Sequence, residues 1–122
     1  MILIGNDIVS YENIANVSDI EQISNTQPNS TLLFEFNSDL MHYCNQNSLA
    51  FGVKVKSLKE AILANALSAK YIICENELSQ VVQKSAENYM FDAKILEIID
   101  NDDAIEAVAL RQIDGVIYKK VL

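Results

Sequence analysis

The sequence predicts a single-domain α/β fold built on a mostly parallel sheet of about six strands. Three observations carry the prediction. Short apolar runs alternate with amphipathic stretches along the whole chain. The runs recur about every twenty residues after the second, which leaves room for a helix and two short loops between strands. The 122 residues show no linker, low-complexity segment or charge block, so residues 1–122 read as one domain.

Taken in order, the apolar runs are Ile2–Ile4, Leu32–Phe36, Leu49–Val55, Tyr71–Cys74, Ile95–Ile99 and Val116–Tyr118. Each is short, rich in β-branched or aromatic residues, and followed by polar ones, the signature of a strand. Residues 11–25 drift in phase, and Ser18 with Glu21 offers a capping box inside them, so two short helices fit better than one long one. A short helix follows around Leu40, Met41 and Cys44. The stretch LKEAILANALSA is alanine-rich, which favours helix, and has a broad apolar side formed by Leu58, Ile62, Leu63, Ala66 and Leu67. Leu78, Val81, Val82, Ser85, Ala86, Tyr89 and Met90 recur at helical spacing with polar residues between them. The last helix turns Ile105, Val108, Ala109 and Ile113 to one side.

Caps support these boundaries. Ser57 and Glu60 form a capping box, and Asn37 or Ser38, Asn76 and Asn101 precede the other helices. Pro28-Asn29-Ser30 is the strongest loop signal. Parallel strands joined by helical crossovers make an open, doubly wound sheet, Rossmann/flavodoxin-like, with helices on both faces the best-fitting architecture.

The unit from Phe51 to Glu75 also resembles one βα unit of an aldolase-type or phosphate-binding (β/α) barrel. There, a strand ending in a charged residue leads through Ser or Thr into an Ala-rich helix and then a strand of the AKYIIC kind. The resemblance covers about a fifth of the chain, which is too short for the ~200–250 residues of a full barrel. It implies shared architecture.

Composition excludes several functions. Nine basic residues against seventeen acidic ones give a net charge of −8, which opposes binding to a phosphate backbone or an anionic membrane surface. No run approaches the ~18 consecutive apolar residues of a membrane span. The start lacks the basic and long apolar regions of a signal peptide. Cys44 and Cys74 form no CxxC, and Cys74 sits in an apolar run, so two free thiols in a reducing, cytoplasmic setting are expected.

Motifs for common chemistries are missing. Three glycines form no phosphate-binding loop, and the lone His42 falls on the solvent side of its helix. A receiver-domain pattern needs paired acids, an Asp and a Lys at strand ends that here read Asn6-Asp7, Lys56 and Asp100. No cofactor is implied.

What remains is the set of residues delivered to the carboxyl ends of the strands, where open parallel sheets bind ligands. Three charges interrupt apolar strands: Glu35, Lys54 and Glu97. One reading places Glu35 and Lys54 near a sheet edge, solvated or paired, where charges also discourage edge-to-edge association. The other makes Lys54 semi-buried between Glu35 and Glu97, facing a small anionic ligand, with Lys56 and Ser57 beside it. Neighbouring carboxylates favour a charged ammonium, so an electrostatic role suits such a lysine better than nucleophilic chemistry. Asp7, Glu75 and Asp100 form a weaker candidate Mg²⁺ set, competing with the simpler role of acids at helix N-termini. The expected function is a non-enzymatic binding or protein-interaction module, with a small-metabolite enzyme or sensor around Lys54 as the alternative. A homodimer pairing through an exposed edge strand at Tyr118–Leu122 is the expected assembly, with a further protein partner also open.

Overall fold

The computed structural model of the protein describes all residues, 1–122. It contains one seven-stranded, all-parallel, curled sheet. The strands are β1 (Ile2–Ile4), β2 (Ile14–Asn16), β3 (Thr31–Glu35), β4 (Phe51–Lys54), β5 (Tyr71–Cys74), β6 (Lys94–Ile99) and β7 (Gly115–Tyr118). Five helices connect them: α1 (Ile20–Ile23), α2 (Ser38–Gln46), α3 (Leu58–Ala66), α4 (Asn76–Asn88) and α5 (Ile105–Leu110). The single-domain parallel α/β class expected from the sequence is thus present, with β2 as the strand its pattern did not announce. Only one of the two helices expected in residues 11–25 forms. Asp19, rather than Ser18, caps it by accepting from the Gln22 amide.

The spatial order is β1-β7-β6-β5-β4-β3-β2. Every crossover from β2 to β7 therefore steps one strand in the same direction. Crossovers of a single hand that all step one way place their helices on a single face, so α2 through α5 do not divide between both faces as the sequence pattern suggests. Accordingly Leu40, Met41, Cys44, Ala61, Ala64, Val82, Ala86 and Val108, from α2 through α5, all join one core cluster of 23 buried residues. The opposite, inner face holds a separate cluster of six: Ile4, Leu33, Tyr71, Ile73, Leu96 and Ile117. The order is that of a barrel left open between β1 and β2, and the Phe51–Glu75 unit is β4-α3-β5 within it.

The inner face is crowded because strands of a curled sheet converge there. Gly52 answers this on β4: an added Cβ would lie 2.7 Å from Leu33 Cδ2 and 3.1 Å from Tyr71 Cβ. Gly115 does the same where β1 pairs with β7, since a Cβ would meet the Ile2 carbonyl oxygen at 2.5 Å.

Four helices end alike. Ser48, Ser68, Met90 and Gln112 adopt positive φ, and the next residues, Leu49, Ala69, Phe91 and Ile113, donate their amides back to Cys44, Ala64, Ala86 and Val108. This is the Schellman closure, with a non-glycine residue at each left-handed position and an apolar residue returning to the core. Repeating it at each turn gives the βα units their common length.

Helix phases differ in part from the sequence pattern. On α3 the buried residues are Ala61 and Ala64, while Ile62 and Leu63 are 45% and 47% exposed. On α4, Ser79, Val82, Gln83 and Ala86 are buried, while Val81, and Tyr89 and Met90 just past its end, face solvent. The cause is polar: Ser79 and Gln83 are drawn inward by Glu97 and by the Asp114 amide. Ser57, Asn37 and Asn101 cap as expected, whereas Glu75 occupies the cap of α4 and Asn76 is its first residue.

No helix is long and apolar enough to cross a membrane. Residues 119–121 form a 3₁₀ turn beyond β7, and β7 itself lies between β6 and β1. The Tyr118–Leu122 edge strand expected to pair with a second copy is therefore not an edge. The free edges belong to β1 and β2.

Candidate functional site

Side chains two residues apart on a strand share a face. Leu33 is on the inner face, so Glu35 is too; Gly52 approaches Leu33 and Tyr71 there, so Lys54 is too. Glu35 and Lys54 are direct partners across the β3–β4 ladder. Leu96 is also inner, which puts Glu97 on the outer, helix-covered face. The grouping of Lys54 with Glu97 that the sequence suggests is thus divided by the sheet itself.

Glu97 is the sole charged residue in the buried set, 2% exposed. Arg111, the only arginine in the chain, meets it with both guanidinium nitrogens: Nη1 pairs with Oε1, and Nη2 lies 2.9 Å from Oε2. Ser79 donates its hydroxyl to Oε1 at 2.5 Å. The hydrogen bond and charge of Glu97 push the Arg111 guanidinium pKa up. With donors on both oxygens and almost no exposed surface, Glu97 offers a ligand no approach and belongs to the interior architecture. Cys74 lies beside it on β5, and burial, then the Glu97 charge, pushes that thiol up to about 12. Cys44 is raised to about 11 by burial. Both cysteines are free, buried and held as thiols, remote from nucleophilic use.

Lys54 presents the opposite case. Its side chain is 31% exposed, and Nζ lies 4.0 Å from Glu35 Oε1 and 3.7 Å from Glu75 Oε1, beyond hydrogen-bond reach of either. Both carboxylates are about two-thirds exposed. Lys54 and Glu35 line a cavity of about 190 Å³ at the carboxyl edge of the sheet, together with Asn16, Val17, Leu33, Phe34, Ile73 and Leu122. Asn16 donates its amide nitrogen to the Val121 carbonyl at 2.9 Å, which holds the chain's last turn over the end of β2.

The remaining residues picked out by the sequence disperse. Lys56 is exposed, and its amide donates to Glu60 Oε1; the Ser57 hydroxyl accepts from the Glu60 amide. The cap of α3 thus uses the Ser57 hydroxyl but only the backbone amide of Lys56, whose ammonium points to solvent outside the cavity lining. Asp7 is paired with Lys120 at 2.8 Å, which lowers its carboxyl below the ordinary range. Glu75 stands by Lys54, and Asp100 is exposed on its own loop. No three acidic, histidine or cysteine side chains gather as a metal cluster, so the Asp7, Glu75 and Asp100 set is not assembled.

A second polar site, with no counterpart in the sequence pattern, lies at the opposite, amino end of the inner face. Glu12 Oε2 accepts from the Thr31 hydroxyl at 2.7 Å and from Lys70 Nζ at 2.5 Å, and Oε1 accepts from the Tyr71 hydroxyl at 2.6 Å. Burial opposes ionisation, yet the hydrogen bonds from Lys70, Tyr71 and Thr31 hold the Glu12 carboxyl below its ordinary value. Burial and Glu12 together push the Tyr71 phenol up. An open groove of about 530 Å³ runs beside β2 past Glu12 and Lys120, but both charges there are already committed, Lys120 to Asp7. Lys54, by contrast, lines its cavity with no hydrogen bond to either carboxylate beside it.

No protein-family model matches the chain, and no curated protein matches it in sequence.

Proposed function

We propose that this protein is a non-enzymatic binding module whose ligand site is the cavity at Lys54, taking a small molecule through an anionic group. The observation that carries the reading is the geometry of Lys54: an ammonium facing a cavity, on the rim where parallel sheets bind ligands, with its carboxylate neighbours too distant to saturate it. The cavity is smaller than the ~300–1,000 Å³ of drug-sized sites, which restricts the ligand to a few heavy atoms. Binding suits the position better than catalysis as a small-metabolite enzyme does, because an ammonium flanked by two carboxylates is a poor amine nucleophile.

Thermal melting against a panel of small carboxylates and amino acids tests this. A saturable rise in Tm for at least one member, absent in Lys54→Met, is the expected result. An equal rise in Lys54→Met sinks the assignment.

The same proposal keeps a cytoplasmic setting, as two free thiols suggest. It also keeps a second copy of the chain as partner, now through β1 or β2, whose outer backbone groups are unpaired. Light scattering decides it: a mass of 13.6 kDa across the accessible concentration range removes the dimer.

A further inference from the structure

The charges around Lys54 do not suit a simple anion. Glu35 and Glu75 together outnumber it, so an incoming carboxylate meets net repulsion unless the ligand brings a positive charge of its own. Within the cavity the arrangement is balanced. Lys54 supplies a donor for an anionic group, and Glu35, 4.0 Å away and free of any hydrogen bond to it, supplies an acceptor for a cationic one. Asn16 adds to the second role. Its amide nitrogen is committed to the Val121 carbonyl, which leaves its side-chain oxygen to accept. The rest of the wall is apolar, formed by Val17, Leu33, Phe34, Ile73 and Leu122.

A donor, two acceptors and an apolar wall around about 190 Å³ describe a specific ligand chemistry. At ~30 Å³ for each water-sized atom, the space holds about six such atoms. We infer that the cavity binds a small zwitterion, an α-amino acid with a short apolar side chain. Its carboxylate pairs with Lys54, its ammonium with Glu35 and the Asn16 side-chain oxygen, and its side chain packs against Leu33 and Ile73. The inference rests on the ligand site proposed above and narrows it from an anionic group to paired opposite charges.

The test compares three probes that share an alkyl chain and differ in which charged groups they carry: 2-aminobutyrate with both, butyrate with the carboxylate alone and propylamine with the ammonium alone, titrated into the ¹⁵N-labelled protein. 2-Aminobutyrate is expected to shift the amides of Leu33–Glu35, Lys54 and Ile73 with a Kd on the order of millimolar, as so few heavy atoms permit. Butyrate and propylamine each lack one charge-assisted contact and are expected to bind at least about tenfold more weakly. Lys54→Met removes binding of the amino acid. Glu35→Gln, at an exposed position that the fold tolerates, reverses the preference, so that butyrate binds at least as well as 2-aminobutyrate. If butyrate matches 2-aminobutyrate on the unaltered protein, the zwitterion is overturned while the anionic site stands. If no probe shifts these amides, both readings fall together.

Discussion

Glu97 and Lys54 are both charges set into apolar strands, two strands apart, yet the protein treats them in opposite ways. Glu97 lies under α4 and α5, and both of its oxygens are closed by Arg111, with Ser79 adding a further donor. Lys54 lies on the inner face, away from α2 through α5, and its two acidic neighbours stay 3.7–4.0 Å away. The difference follows from which face each side chain enters. A charge under the helices is cut off from water and must be fully paired within the chain, whereas one at the open mouth of the curled sheet keeps water as a partner and can exchange it for a ligand. Glu12 stands between these cases: it is on the open side, yet three donors close it.

The largest expected effect breaks the closed pair. Arg111→Met leaves Glu97 buried and uncompensated, and should cost about 3–5 kcal/mol in chemical denaturation. A loss below ~1 kcal/mol would show that Glu97 is held some other way. The companion double variant, Glu97→Leu with Arg111→Met, should recover most of that loss, because apolar replacement of both partners removes the desolvation penalty.

Glu12→Gln comes next and acts through pH. The folded-state value of Glu12 is depressed below 4.5, so its contribution is fully present above that unfolded value and is lost as pH falls towards the folded one. The variant should lose about 1–3 kcal/mol at neutral pH, with a flatter stability profile below pH 4.5 than the parent chain. Parallel profiles for the two proteins would rule out the depressed carboxyl.

The smallest effect sharpens the contrast from the other side. Lys54→Met, measured in the same denaturation experiment, should change stability by no more than about 0.5 kcal/mol, as for most long, exposed ion pairs. A cost comparable with that of Arg111→Met would make Lys54 a structural residue and remove the reason for assigning it a ligand.

Part of this contrast was legible in the sequence. Glu35, Lys54 and Glu97 stand out because each breaks an apolar run. The sole arginine was a usable sign as well, since a lone guanidinium near a lone buried carboxylate is the natural bidentate partner. The capping residues Asn37, Ser57 and Asn101 were readable because a cap acts within three residues of itself. β2 was not: Ile14-Ala-Asn16 is too short to show a period, and it becomes a strand only because β3 lies beside it. The Glu12 network escaped for a similar reason, its donors lying at Thr31, Lys70 and Tyr71, far along the chain.

The class of fold, the repeated βα unit and most helix boundaries are written in local sequence. These depend on periodicity, propensity and capping, which operate over a few residues. The one-directional winding, the position of β7 between β6 and β1, and the face entered by each strand charge emerge from long-range packing. Strand parity tells which residues share a face but not which face the helices cover. That depends on the direction in which successive crossovers step, and it is what buries Glu97 and leaves Lys54 open.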